Sequence, residues 1–357
     1  MQPRILFLIM SAVSRPETVD QLAGTLAPHV ALVHHDFSQT PHFPLDAPNV
    51  RLVPEPKRTG WAYFGFVDGI FHSLRHALRN FEFDYLQLLS PTCLPIKPIA
   101  QFEACVDGGA QAHFDCIDLL GDRDALMSVG YRAFTPQDTW RHRVARQASN
   151  LYFGNSPGRR DEAGIWLHSG EGRGLLSWPS ALLIKALARP AIGRHPFGEA
   201  FRPYYGSAWF GARREMVEGM VRLFERPGVR DYFSGLRIAE EFLFPTLLMQ
   251  LAATRGPMNH EIQRFDGAHV GTFGEGDLQL LRDSPAYFAR KFPDDPAAPV
   301  RQRVVGELLR DGSAPSPAAP VRLHSVPSVR PRATAAKPGT HVQHAPGVAR
   351  DARTMRP

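Results

Sequence analysis

Two adjacent carboxylates open an apolar run. They are Glu240 and Glu241 in "IAEEFLFPTLLMQ", Ile238 to Gln250. A helix N-terminus favours carboxylates electrostatically, so one reading is a solvated pair that complements the helix dipole. The chemical reading makes one glutamate a general base, held at a rigid element end beside the hydroxyl it deprotonates. A second group, "GEGDLQLLRDSPAYFARKF", ends on Arg290 and Lys291. It reads either as a turn, a capped helix and a solvated cation pair, or as a fixed cation set against a phosphate. In "GSAWFGARREMVEGMV", a small-residue turn leads through Trp209 and Phe210 into a helix. Those aromatics pack in the core, or Trp209 lies against a sugar ring. In "GDRD", Asp122 and Asp124 have the spacing by which carboxylates hold Mn²⁺ or Mg²⁺ against a diphosphate, although an exposed turn has the same letters.

These residues need a scaffold. Ile5–Met10 reads as a first strand, Glu17–Leu26 as a helix and Val30–His34 as a second strand ending at His34-His35-Asp36. This β–α–β start predicts an α/β fold with a mainly parallel central sheet flanked by helices. Ligands of such sheets sit at the carboxyl ends of the strands, where Ser11 and Asp36 fall. Arg51–Val53 reads as a third strand. Trp61–Asn80 has helical spacing, and Phe83–Leu89 reads as a buried strand. That strand feeds "SPTCLPIKP", whose two prolines forbid a helix or a central strand; Cys93 lies in this loop. His113–Leu120 is another strand. Gly121–Ser207, rich in Arg, Gly and Trp, reads as long loops. Arg213–Phe224 and Ile238–Leu251 read as helices.

The chain has 357 residues, 43% of them hydrophobic and 21% charged, enough for one large domain. Its formal net charge is +6. Residues 311–357 hold seven Lys/Arg and two Asp/Glu, so 7 − 2 gives +5 in that stretch alone. The body is therefore nearly neutral, and no nucleic-acid partner is expected. The domain organisation expected is a body over 1–310 and a disordered, basic, Pro/Ala-rich tail over 311–357. Such a tail could meet an anionic membrane peripherally, at about 1 kcal/mol per basic residue near the surface. Three cysteines with no zinc spacing fit a reducing compartment. No segment reaches the roughly 20 apolar residues of a membrane span, so the location expected is cytoplasmic, at most peripheral at the inner membrane face.

Taken together and in order, these segments resemble the Core-2/I-branching β-1,6-N-acetylglucosaminyltransferases, a family that includes the peptide O-xylosyltransferases. The family's "FDYxxLLSGxDYPIKS" is similar to "FDYLQLLSPTCLPIKP", its "GSxWF…R" to "GSAWFGARRE", its "PDExFFPTLL" to "AEEFLFPTLL", and its "GDLxxL…FAxKF" to "GDLQLLRDSPAYFARKF". An early "HxD" is matched by His34-His35-Asp36. The resemblance covers about Ile5 to Asp295. It implies a GT-A-like fold and an inverting transfer of a sugar, N-acetylglucosamine or xylose, from a UDP-sugar to a glycan or lipid-linked glycan hydroxyl. Glu241 matches the catalytic base. Lys291 matches a lysine that, with an arginine, meets the diphosphate in place of a metal, so no metal cofactor is expected. Asp36 matches an aspartate at the nucleoside end. Ser11 and Arg290 are further donor-side candidates; Trp209, Glu240 and Cys93 are acceptor-side candidates. Cys93 stands where the family has aspartate, and Gly271 stands near the place of the family's arginine, with Arg264 and Arg282 as replacements. The alternatives are a metal-dependent nucleotide-sugar transferase using Asp122 and Asp124, and a non-catalytic carbohydrate-binding relative.

Overall fold

Ile5–Ser11 is apolar at every position but its last, as befits a strand covered on both faces. In the computed structural model its residues divide between two cores. Leu6, Leu8 and Met10 pack into one; Ile5, Phe7 and Ile9 pack into the other. The alternation of side chains along a strand thus sets three layers, helices on both faces of a sheet. The structure describes residues 3–154, 158–160, 165–168, 176–266 and 269–310. They belong to one unit, Met1–Ser313. The expected tail over 311–357 lies outside the described residues. No helix among them is long and apolar enough to cross a membrane.

The main sheet has six strands, ordered Val50–Leu52, Val30–His35, Ile5–Ser11, Tyr85–Leu89, Tyr204–Arg213 and Ala112–Asp118. The first three pairings are parallel and the last two antiparallel. The α/β class is as expected, and the sheet is mixed. Tyr204–Arg213 causes the difference. By sequence it reads as a small-residue turn entering a helix, with Gly206 in the turn and Gly211 beyond it. They are strand positions where a neighbour comes too close for a side chain. A Cβ on Gly206 would lie 2.0 Å from the Asp115 carbonyl oxygen, and one on Gly211 would lie 2.2 Å from Tyr85 Oη. The strand leads directly into the helix Arg214–Phe224.

The stretch 121–207, expected as loops, holds the helices Arg123–Phe134, Trp140–Phe153 and Ser177–Leu187. Trp140–Phe153 escapes a periodicity search because Ala145, Ala148 and Ser149 supply much of its buried face. Gly65–Asn80 is the clearer case, burying Val67, Ile70, Phe71 and Leu74 at helical intervals.

Candidate active site

Tyr204–Arg213 runs against its neighbours, so its amino end joins the carboxyl ends of the other strands in one rim. Ser11 and His35 end adjacent strands in register, and Asp118 is paired with Tyr204. The helix Glu240–Leu251 packs against that strand. Tyr204 N donates to Thr246 Oγ1 at 3.0 Å, and the Tyr205 and Phe242 rings lie 5.2 Å apart. The two carboxylates are therefore delivered to the rim by the first turn of a buried helix. Pro245 inside that helix has no N–H for the carbonyl of Glu241.

The two carboxylates are only half-buried, yet neither is the freely solvated group of the dipole reading. Arg132 Nη2 donates to Glu241 Oε2 at 2.7 Å, with the two side chains 17% and 29% exposed. The guanidinium lies 5.1 Å from the Phe242 ring centroid and 5.9 Å from that of Tyr205. Glu240 has a buried Oε2 with no hydrogen-bond partner among the described residues. Burial pushes its carboxyl up to about 7, opposed by a backbone hydrogen bond and Arg132 and reinforced by Glu241. Two identical neighbours thus sit in different environments, one paired with a cation and one with an oxygen enclosed and unbonded.

The backbone entering this helix is strained. Ile238 has φ 53°, rare for a β-branched residue, and its N–H donates to the carbonyl of Ala62, itself at φ 66°. Such outliers cluster at functional sites. Beside Ala62, Trp61 is 78% exposed, with the Arg237 guanidinium 5.4 Å from its ring centroid. Trp61 appeared in the sequence only as the head of a helix.

Several expected site residues are placed differently. Trp209 is buried, meets Phe66 edge-on at 6.4 Å, and has the Arg290 guanidinium 4.4 Å from its ring centroid. It is a core residue capped by a cation, and the cap takes the face a sugar would need. Cys93 is fully buried and bonds Glu261 Oε1 at 3.4 Å, so it is closed to an acceptor. Arg290 faces Trp209, and its charge opposes the burial that pushes the Glu261 carboxyl up to about 7. Glu261 Oε2 and Arg290 Nε are buried without hydrogen-bond partners among the described residues. Glu261 escaped the sequence reading because nothing nearby marks it; its partner Cys93 is 168 residues away.

Asp36 is a loop organiser. Its oxygens accept from Ser38 N at 3.0 Å, Ser38 Oγ at 2.6 Å, Gln39 Nε2 at 2.7 Å, Thr59 N at 2.6 Å and Thr59 Oγ1 at 3.1 Å. Burial would raise this carboxyl, yet the donors outweigh it and hold it well below the usual carboxylate range. Ser11 Oγ bonds His35 Nδ1 at 3.0 Å, and His35 stacks on Phe43 at 3.6 Å. Lys291 follows the strand Phe288–Arg290, and the next residue, Phe292, donates its N–H to the carbonyl of Thr92 in the proline-bracketed loop. The loop backbone thus anchors the segment that carries the lysine. Burial and Arg290 push the Lys291 ammonium below its ordinary value. Opposite Gly271, whose N–H donates to its carbonyl, stands Arg264, with Nη1 2.7 Å from Asp277 Oδ2. Arg282 instead approaches Glu307 at 3.9 Å.

Asp122 caps the helix Arg123–Phe134, accepting from Ala125 N at 2.9 Å, and Asp124 lies in its first turn. Capping accounts for Asp122 without a metal. Another group has metal-ligand types. One donor atom each from Cys105, His113 and His260 lies within 4.8 Å of the others. Tyr85 Oη bonds His113 Nδ1 at 2.8 Å and His260 Nε2 at 3.1 Å, so one nitrogen of each ring is already engaged. Tyr85 begins its strand, which puts this cluster at the end of the sheet away from the carboxylates. No family model matches this chain, and no curated protein matches it.

Proposed function

We propose that the protein is an inverting glycosyltransferase that moves a sugar, N-acetylglucosamine or xylose, from a UDP-sugar to a hydroxyl of a glycan or lipid-linked glycan. The observation that carries this reading is the differentiated pair at the rim, with Glu241 partly exposed and paired with Arg132 beside a Glu240 whose Oε2 is enclosed. The sequence resemblance supplies the reaction class. The sheet is compatible with a GT-A arrangement, since Tyr204–Arg213 alone runs against the other five strands.

In this mechanism the acceptor oxygen attacks C1 of the donor sugar as the bond from C1 to the diphosphate breaks. Glu241 takes the hydroxyl proton, and UDP leaves with the bonding pair. Geometry precedes basicity in choosing a base. The Glu241 side chain is partly exposed, whereas Oε2 of Glu240 is enclosed. Arg132 fixes the Glu241 carboxylate by one oxygen, which leaves the other for the acceptor. Lys291 meets the charge developing on the diphosphate, and Arg264, placed opposite Gly271, takes the part of the second cation. Asp36 holds the loop around the nucleoside end, with Ser11 at the neighbouring strand end. Trp61 replaces Trp209 as the aromatic offered to the acceptor. No metal takes part, and the enzyme works in the cytoplasm.

Lys291→Ala should weaken UDP binding, read by calorimetry, and lower turnover with the fold intact. An unchanged UDP affinity would remove Lys291 from the donor site. Turnover should persist in EDTA. Loss in EDTA with recovery on Mn²⁺ would transfer charge neutralisation to a metal, with Asp122 and Asp124 the first residues to test. Absence of both UDP-sugar binding and donor hydrolysis would favour the non-catalytic alternative.

A further inference from the structure

Two helices outside the candidate site present apolar side chains to water. On Trp140–Phe153, Trp140 is 65% exposed, and Val144 and Leu151 follow it on the same face at helical spacing. On Ser177–Leu187, which packs against it, Ala181, Ile184 and Leu187 point inward. The outer side carries Trp178, 72% exposed, with Leu182 and Leu183. A helix that is apolar all round belongs in a core; this one is half in water. The charges on the two helices and in the turn after the second are of one sign. Residues 140–154 and 176–194 contain Arg141, Arg143, Arg146, Lys185, Arg189 and Arg194, and no Asp or Glu.

We propose that these two helices form a docking surface for an anionic membrane, with Trp140, Trp178, Leu182 and Leu183 entering the boundary between headgroups and acyl chains. Exposed Trp and Leu beside Lys and Arg, without acids, is the composition of interfacial helices. Two other occupants fit less well. A second copy docking by a two-fold axis would set like-charged clusters against each other. A nucleic acid would use the cations and stack on the tryptophans, yet would leave Leu182 and Leu183 in water. This proposal stands independently of the transferase reading and of the basic tail.

The test is co-sedimentation of the full chain with vesicles of phosphatidylcholine alone and of phosphatidylcholine with phosphatidylglycerol. Binding to the anionic vesicles is expected, weakened by added salt. The double variant Trp178→Ser with Leu182→Ser should bind at least about tenfold less, because two large apolar side chains no longer leave water. Both positions are exposed, so the variant's circular dichroism should match the parent. The tail is present in both proteins. Equal binding by the variant would place any membrane contact in the tail and overturn the proposal. Equal partition onto phosphatidylcholine alone would overturn the anionic requirement. Binding to single-stranded nucleic acid that the variant loses, with vesicles ignored, would assign the surface to the other polymer.

Discussion

Glu261 shows how much of a site can hang on a residue that its neighbours in sequence do not advertise. Its carboxyl is pushed by burial from 4.5 up to about 7. Between those values the folded chain keeps a proton that the unfolded chain has released, so folding stability falls as pH rises through that window. The loss is complete above about 7 and amounts to about 3 kcal/mol at most. His34 and His113, held neutral by burial down to about 4, act the other way; their contribution grows with pH up to about 6.5. Comparing Glu261→Gln with the parent cancels the histidines. The variant's melting temperature, relative to the parent, should rise between pH 5 and pH 8. A constant difference across that range would show that Glu261 is ionised throughout. Trp61 carries a separate expectation. Trp61→Ala removes an exposed ring that packs against little, so stability should hold while KM for the acceptor rises and donor affinity stays the same. Equal kinetics for both proteins would take Trp61 out of the acceptor path.

At the scale of elements, the strands Ile5–Ser11, Val30–His35 and Tyr85–Leu89 were legible because strands covered on both faces must be apolar nearly throughout. The helix Gly65–Asn80 was legible from its period. Tyr204–Arg213 was not, because its glycines answer contacts that are distant in the chain. Gly206→Ala should destabilise strongly, by about 3 kcal/mol or more, since the added methyl meets the Asp115 backbone, which cannot step aside. Gly24→Ala, in the helix Pro16–Thr25 with nothing within 4 Å of the new Cβ, should stabilise by roughly 0.5–1 kcal/mol. Denaturant unfolding of the two variants should give changes of opposite sign. Destabilisation no larger than that of an exposed substitution would mean that the strand does not press on Asp115. The site was half legible for the same reason. Glu240, Glu241 and Lys291 stand in motifs, whereas Arg132 reaches Glu241 across 109 residues, and no local pattern records such a partner. For Trp209 the core reading holds over the sugar-facing one, and Cys93 is an acceptor-side candidate only until Glu261 is seen to meet it, because sequence alone does not show that Arg290 and Glu261 cover these residues.

At the scale of the molecule, charge and chemistry occupy different places. Of the net +6, +5 falls in residues 311–357, and the described part of the chain carries the candidate site. Removing residues 311–357 should therefore leave turnover on a soluble acceptor intact; lost activity or lost folding would show that the tail completes the body. The central claim concerns the two carboxylates at the rim, and single-turnover sugar transfer by Glu241→Gln and Glu240→Gln tests it most directly. Glu241→Gln keeps the shape and removes the proton acceptor, so the rate should fall by about 10²–10⁴-fold with UDP-sugar affinity unchanged, while Glu240→Gln should be much milder. Inactivation by Glu240→Gln alone would move the base to Glu240, and full rates in both variants would contradict the transferase mechanism.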